Sequence, residues 1–127
     1  MKTAISSKNA PQAIGPYSQA IAMGNLLFCS GQIPLDPVSG ELIAGDVTAQ
    51  TEQVLQNAKA LLSAYGLNFS HVVKTTVFLT DLSQFAEMNR VYATHFSEPF
   101  PARSTIQVSA LPRGSSVEIE IIAATDA

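Results

Sequence analysis

The sequence predicts an α+β domain, a two-layer sandwich in which a mixed β-sheet carries two helices on one face. Three observations predict it. Segments near both ends alternate apolar and polar residues with the period of half-buried strands. Two internal segments repeat their apolar residues at three and four, and a β-branched run lies between those two. The resulting order, strand, hairpin, helix, strand, helix, hairpin, folds most simply as one sheet with both helices packed on it, and residues 1–127 read as a single domain.

Taken in order, residues 2–7 form a short edge strand. The breakers in Asn9-Ala10-Pro11 and Ile14-Gly15-Pro16-Tyr17 follow it with an ordered loop. Residues 19–23 and 26–32 are strand-like and flank Gly24-Asn25, a two-residue hairpin turn whose residue types both accept positive φ. Pro34, Asp36-Pro37 and Ser39-Gly40 then keep the stretch to Gly45 out of a helix. Asp46 is an N-cap. Beyond it Val54, Leu55, Ala58, Leu61, Leu62 and Tyr65 line one face of a helix that Gly66 ends. Residues 71–80, rich in Val, Thr and Phe, predict a central strand. A second helix starts at a cap on Thr80 or Asp81, carries Leu82, Phe85, Ala86, Tyr92, Ala93 and Phe96 as its inner stripe, and stops at Glu98-Pro99.

Residues 99–124 hold the charges of most interest. Ser104, Ile106, Val108 and Ala110 alternate with Arg103, Thr105, Gln107 and Ser109, and Val117, Ile119 and Ile121 alternate with Glu118 and Glu120. Leu111-Pro112-Arg113-Gly114-Ser115-Ser116 has the residues of a tight reversal, which predicts a hairpin with Gln107 near Glu118 and Thr105 near Glu120. Such a hairpin turns Ile and Val towards the helices and sets Arg103 beside two carboxylates on the open face. That face is either a solvated surface with weak ion pairs or a pocket, in which an Arg fork binds a carboxylate and a Glu moves a proton. Asn89 falls inside the second helix's stripe, where its amide must find hydrogen bonds, either to backbone or in support of a pocket.

Composition narrows the function classes. Hydrophobic residues make up 46% of the chain and charged residues only 13%, which is lean for a fully exposed monomer. A sheet with helices on one face leaves the other to be closed by a symmetric ring of subunits, with sites in the seams. A net charge of -3 with no Lys/Arg cluster argues against a nucleic-acid footprint. Cys29 stands alone, which excludes an intrachain disulfide and a Cys-rich metal site, and its neighbours Leu27 and Phe28 suit a buried strand thiol. His71 and His95 have no partner at metal-ligand spacing and are expected at the surface without a role. The first residues open no signal-peptide core, and no apolar run approaches the ~20 residues of a membrane span. The cytoplasm is the expected location.

With these segments laid out, the chain resembles the reactive intermediate deaminase family, of the RidA or YjgF type, over nearly its whole length. The resemblance is carried by Ile14-Gly15-Pro16-Tyr17-Ser18-Gln19-Ala20, Ser30-Gly31-Gln32-Ile33-Pro34, Val73-Lys74-Thr75-Thr76-Val77-Phe78-Leu79, Phe100-Pro101-Ala102-Arg103-Ser104 and Val117-Glu118-Ile119-Glu120, in this order and spacing. It implies a homotrimer of chorismate-mutase-like subunits with pockets between neighbours, no metal and no organic cofactor. It also implies hydrolysis of 2-iminopropanoate and 2-iminobutanoate, the enamine/imine products of pyridoxal-phosphate-dependent dehydratases, to 2-oxo acids and ammonia. By the same resemblance Arg103 binds the substrate carboxylate, Glu118 stands beside the attacking water, and Tyr17, Ser30 and Gly31 line the pocket. Thr105 departs from the pattern, since many members carry Cys there. A threonine is no thiol nucleophile, so water attacks directly and residue 105 contributes its N–H or hydroxyl. The inferred hairpin sets Glu120 at least as near Arg103 as Glu118, so Glu120 is held as the substitute, with Asn89 as a supporting residue.

Two further classes stand beside the cofactor-free imine hydrolase. One is a non-catalytic trimer whose pocket holds a 2-oxo acid or serves a protein partner, for which Glu118→Gln would leave binding intact. The other is a ribonuclease or translation inhibitor, a label also attached to this family, which the acidic balance and the lack of a basic groove disfavour as the primary role.

Overall fold

The computed structural model describes every residue from Met1 to Ala127. Along the chain come β1 (Thr3–Ile5), β2 (Ala20–Met23), β3 (Leu26–Gln32), α1 (Val47–Ala64), β4 (Val72–Leu79), α2 (Phe85–His95), β5 (Ala102–Gln107) and β6 (Val117–Ala124). The strands form one sheet in the order β1-β2-β3-β6-β4-β5, antiparallel at every pairing except β4 with β5. The mixed sheet and two helices are those the sequence predicts.

Local chemistry accounts for most boundaries. Gly24, at φ 59, lets two residues reverse the chain, so that Met23 faces Leu26 across the β2–β3 hairpin. The Asp46 side chain accepts from Ala49 N at 3.1 Å and caps α1, and Gly66 at φ 75 takes the chain out of it. Asn57, fully buried on α1, donates Nδ2 to Ile33 O and Leu35 O at 3.2 and 3.0 Å, which pins the chain leaving β3. Leu27, Val77, Leu79, Val117, Ile119 and Ile121 of the sheet join Val54, Leu55, Ala58, Leu61 and Leu62 of α1 in one cluster. All are essentially without solvent contact, and each Val, Leu or Ile among them stabilises the fold by about 1.5–3 kcal/mol.

Three expectations are corrected. β5 and β6 are not a hairpin: β6 lies between β3 and β4, antiparallel to both, whereas β5 pairs parallel with β4 at the edge. The intervening α2 makes β4–α2–β5 a crossover unit, and the Pro112–Gly114 turn belongs to a longer connection from the edge to the centre of the sheet. Gln107 and Thr105 therefore do not face Glu118 and Glu120. Gln107 accepts instead from Leu82 N at 2.9 Å, and Thr105 is in register with Val77. The phase of β5 is also reversed. Arg103 and Thr105 share the helix side with Thr75 and Val77, while Ile106 sits on the open face in register with Phe78 and is 45% exposed.

The second correction concerns α2, whose buried residues are Met88, Val91 and Tyr92, with Phe96 just beyond its end. Leu82, Phe85, Ala86 and Ala93 of the expected stripe lie exposed. The chain enters α2 through a 3₁₀ turn at Leu82–Gln84, capped by Asp81 on Ser83 N at 2.9 Å, and the tighter winding shifts the phase of the residues after it. The third is His95, whose side chain is only 14% exposed: its Nε2 lies 3.0 Å from Glu52 Oε1 and joins the two helices, and its ring packs edge-on against Phe69. His71 has a structural task too, since its Nδ1 accepts from Asn68 N at 3.1 Å.

Candidate active site

The pairing of β3 with β6 slips by one residue, for Cys29 faces Ile121 and Gln32 faces Ile119, three steps on one strand against two on the other. Ser30 and Gly31 form this bulge, which brings the β3 backbone over the Glu118 side chain. A Cβ on Gly31 would collide with the Glu118 carboxylate, so the close approach requires glycine. Ser30 is held from two directions, its N donating to Gln19 O at 2.9 Å and its Oγ to Ser18 O at 2.6 Å. Buried Gln19 in turn fixes the loop before it, accepting from Ser7 N at 2.8 Å and donating to Pro11 O at 2.7 Å. That loop supplies Tyr17, half-exposed, as one wall of a cleft of about 540 Å³ that Ser30, Gly31, Ile14, Arg113 and Glu118 also border.

Glu118 is half-buried, and neither of the chain's two ion pairs, His95–Glu52 and Arg113–Glu41, involves it. Burial pushes its carboxyl above the ordinary glutamate range, and the neighbouring Glu120 carboxylate pushes the same way. A carboxyl so placed holds its proton more tightly than an ordinary glutamate and can act as a proton carrier. Glu120 itself is exposed, in register with Thr76 on the open face.

Arg103 lies across the sheet from this cleft, against α2. Its Nη1 donates to Asn89 Oδ1 at 2.8 Å, and its Cζ stands 4.7 Å from the Tyr92 ring centroid and 5.4 Å from that of Phe85. Tyr92 is anchored by a 2.8 Å bond between its hydroxyl and Thr75 Oγ1 and by stacking on Phe96 at 4.3 Å; burial raises its phenol. No carboxylate pairs with the guanidinium, which borders a second hollow of about 390 Å³ with Phe100 and Pro101. An arginine fixed by an amide and two rings, with no anion of its own, is a ready carboxylate site.

Tyr17, Ser30, Gly31 and Glu118 thus come together in one place, and Arg103 and Asn89 in another, with Thr105 two residues along β5 from Arg103. The two groups do not meet within one chain, because the sheet separates them. Tyr92 and Phe85 as ring partners of Arg103, and Arg113 at the rim of the Glu118 cleft, escape a reading of the sequence. Only their spacing on α2 and a Pro-Arg-Gly turn hint at them. Cys29 is buried, with its thiol pushed up to about 12 by burial, and is chemically quiet. No three His, Cys, Asp or Glu side chains of the chain converge on a metal position, and no helix is long and apolar enough to cross a membrane.

Comparison with known proteins matches residues 7–125 to the family model described as endoribonuclease L-PSP. Protein DfrA of Myxococcus xanthus is 59% identical over 96% of this chain and 95% of its own length. The mouse protein named 2-iminobutanoate/2-iminopropanoate deaminase is 49% identical over 97% of this chain and 91% of its own. Among solved structures, the Rid-family protein YyfA of Yersinia pestis superposes with a TM-score of 0.95 at 50% identity, covering 98% of this chain and 99% of that one. With the motif order, the fold and these likenesses in agreement, the chain belongs to the L-PSP endoribonuclease family, the family of the reactive intermediate deaminases of RidA and YjgF type.

Proposed function

We propose that the protein is a cofactor-free hydrolytic deaminase of reactive 2-imino acids, working as a homotrimer whose sites join Arg103 of one subunit to Glu118 of the next. The observation that carries this reading is a pair of uncompensated groups. Arg103 has no anion and Glu118 has no cation, although each is fixed at a hollow. They occupy opposite faces of one sheet, so only a second copy can supply the missing partner. The uncovered face, with Phe28, Val73 and Ile106 each at least 40% exposed, offers the apolar surface for such assembly. The deaminase name borne by the mouse relative supports the choice of chemistry.

An imine carbon flanked by a carboxylate is already electrophilic, so the site has three tasks: to hold the carboxylate, orient a water and move a proton. Arg103 takes the carboxylate in its fork, kept in plane by Asn89 and the Tyr92 ring. Glu118 accepts a proton as water adds to C2 of the protonated imine, giving a carbinolamine. It returns that proton to nitrogen and then takes the hydroxyl proton as the C–N bond breaks, so that C=O forms and ammonia and the 2-oxo acid leave. Gly31 leaves the space in which Glu118 sits, Tyr17 and Ser30 shape the cleft, and Thr105 offers a hydroxyl or N–H in place of a thiol.

The test supplies a dehydratase with serine or threonine and follows 2-oxo acid release with and without the protein. Hydrogen bonds to charged groups contribute about 1.5–3 kcal/mol each, so losing two in Arg103→Ala lowers kcat/KM roughly 10²- to 10⁴-fold. A wild-type rate in that variant rules the reading out. Thr105 favours a second reading, a trimer that binds 2-oxo acids without turnover, and that reading predicts no acceleration by the unaltered protein but measurable 2-oxobutanoate binding. The net charge of -3 weighs against phosphate-tracking nuclease chemistry as the main role.

A further inference from the structure

Arg113 is a second arginine at the Glu118 cleft, and the hydrolysis described above does not use it. It is the one non-glycine residue with left-handed backbone, at φ 62 and ψ 14, a conformation that favours Gly or Asn over a long side chain. The turn it occupies does not need its guanidinium. Gly114 N donates to Leu111 O at 3.2 Å, Ser115 N to Pro112 O at 3.2 Å, and Ser115 Oγ to the same oxygen at 2.9 Å.

The guanidinium has only loose company. Nη1 reaches Gly40 O at 3.4 Å and Nη2 lies 3.5 Å from Glu41 Oε2, with the two side chains 45% and 77% exposed. An exposed pair of this length is weak, so Glu41 is an exchangeable counter-ion, and another carboxylate can take its place at little cost. The cleft that Arg113 shares with Glu118, Tyr17 and Ser30 measures about 540 Å³, which is within the ~300–1,000 Å³ of sites for far larger ligands than a three-carbon acid.

We infer that Arg113 sets substrate choice by binding a second, distal carboxylate, which makes 2-imino dicarboxylic acids the preferred substrates. This rests on the imine-hydrolase reading. Arg103 takes the carboxylate next to C2 and Arg113 the one at the far end, each through the rigid fork that fits a carboxylate with two hydrogen bonds. Two guanidinium forks then match a dianion, one at each end, with Arg113 on the rim of the cleft that holds Glu118. The class of reaction that supplies such an imine is the two-electron oxidation of the Cα–N bond of an acidic amino acid.

The experiment generates imines in place with amino-acid oxidases, from aspartate and from 2-aminobutanoate, and follows 2-oxo acid release by the full-length protein. Wild type is expected to favour the dicarboxylate at least ten-fold in kcat/KM. Arg113→Gln is expected to lower that rate ten-fold or more and to leave the 2-iminobutanoate rate within two-fold. Arg113→Lys should restore part of the preference. Arg113→Gly, which suits the left-handed backbone, should behave like Arg113→Gln and so separates loss of charge from damage to the turn. No dicarboxylate preference in wild type, or equal effects of Arg113→Gln on both substrates, overturns the inference. A binding arm keeps the two proposals apart: calorimetry with 2-oxoglutarate and 2-oxobutanoate needs no turnover. If neither imine is hydrolysed, the hydrolase reading falls. Arg113→Gln must still weaken 2-oxoglutarate at least ten-fold more than 2-oxobutanoate, and failure to do so overturns the role of Arg113.

Discussion

Asn89 Oδ1 accepts a hydrogen bond from Arg103 Nη1 at 2.8 Å, and this contact orients the guanidinium from α2. The amide is a positioning residue, since the arginine and not Asn89 is expected to touch the substrate. Asn89→Ala leaves the fork held only by the Tyr92 and Phe85 rings. Loss of a bond to a charged group is expected to raise KM about ten-fold with little change in kcat. Asn89→Asp should be worse, because a carboxylate at that position pairs with Arg103 and competes with the substrate. Steady-state kinetics of the two variants check the order; an unchanged KM in both removes the positioning role.

The separation of Arg103 and Glu118 by the sheet makes complementation a direct test of a shared site. Arg103→Ala and Glu118→Gln subunits, each inactive alone, are unfolded together, mixed in equal amounts and refolded. In a ring where each site draws one residue from each of two neighbours, random mixing restores about a quarter of the wild-type sites. A site within one chain restores none. The activity of the mixture and its mass by light scattering decide between them.

How far the fold is legible in the sequence depends on the range of the interactions that set each element. Asp46, Gly66 and Gly24-Asn25 act within a few residues, and the structure uses each as the sequence predicts. The partners of β5 and β6 are a different matter. Alternation gives a strand's two faces but not its neighbour, and insertion of β6 between β3 and β4 is fixed by burying Val117, Ile119 and Ile121 under α1. Once β5 pairs with β4 rather than β6, its phase reverses, and the expected single charged face becomes two separate groups on opposite faces of the sheet. Sequence motifs name Tyr17, Ser30, Gly31, Arg103 and Glu118 as residues of interest, whereas Arg113 emerges only from its backbone angle and its place on the rim of the cleft.

Gly31 tests how Glu118 is seated. In Gly31→Ala the new methyl collides with the Glu118 carboxylate, which must swing away from its cleft. The expected result is a fall in kcat of the size that loss of a general base brings, about 10²- to 10⁴-fold, with circular dichroism unchanged. Gly66→Ala is the control. It places a side chain at φ 75 with open space around it, so it should destabilise the fold by about 1–2 kcal/mol and leave kcat as it was.

The pH dependence follows from the raised carboxyl of Glu118. Only the ionised form takes a proton from water, so kcat/KM should fall on the acid side, along a limb that burial raises and Arg103 of the neighbouring subunit lowers, and Arg103→Lys or Arg103→Ala backgrounds should shift it upward. Burial is the larger cause and Glu120 the smaller, so Glu120→Gln should move the limb to lower pH without abolishing it. The stability effect has the opposite sign from that of an ion-paired carboxylate. The folded chain holds the Glu118 proton more tightly than the unfolded chain, so ionisation costs stability as pH rises from the unfolded value through the folded one. In a separated subunit Glu118→Gln should therefore be neutral in melting temperature at pH 4 and stabilising at pH 8. In the proposed trimer Arg103 of a neighbouring subunit faces the carboxylate and opposes that cost, so the stabilisation at pH 8 should be smaller there than in trimers that also carry Arg103→Ala, where the cation is gone.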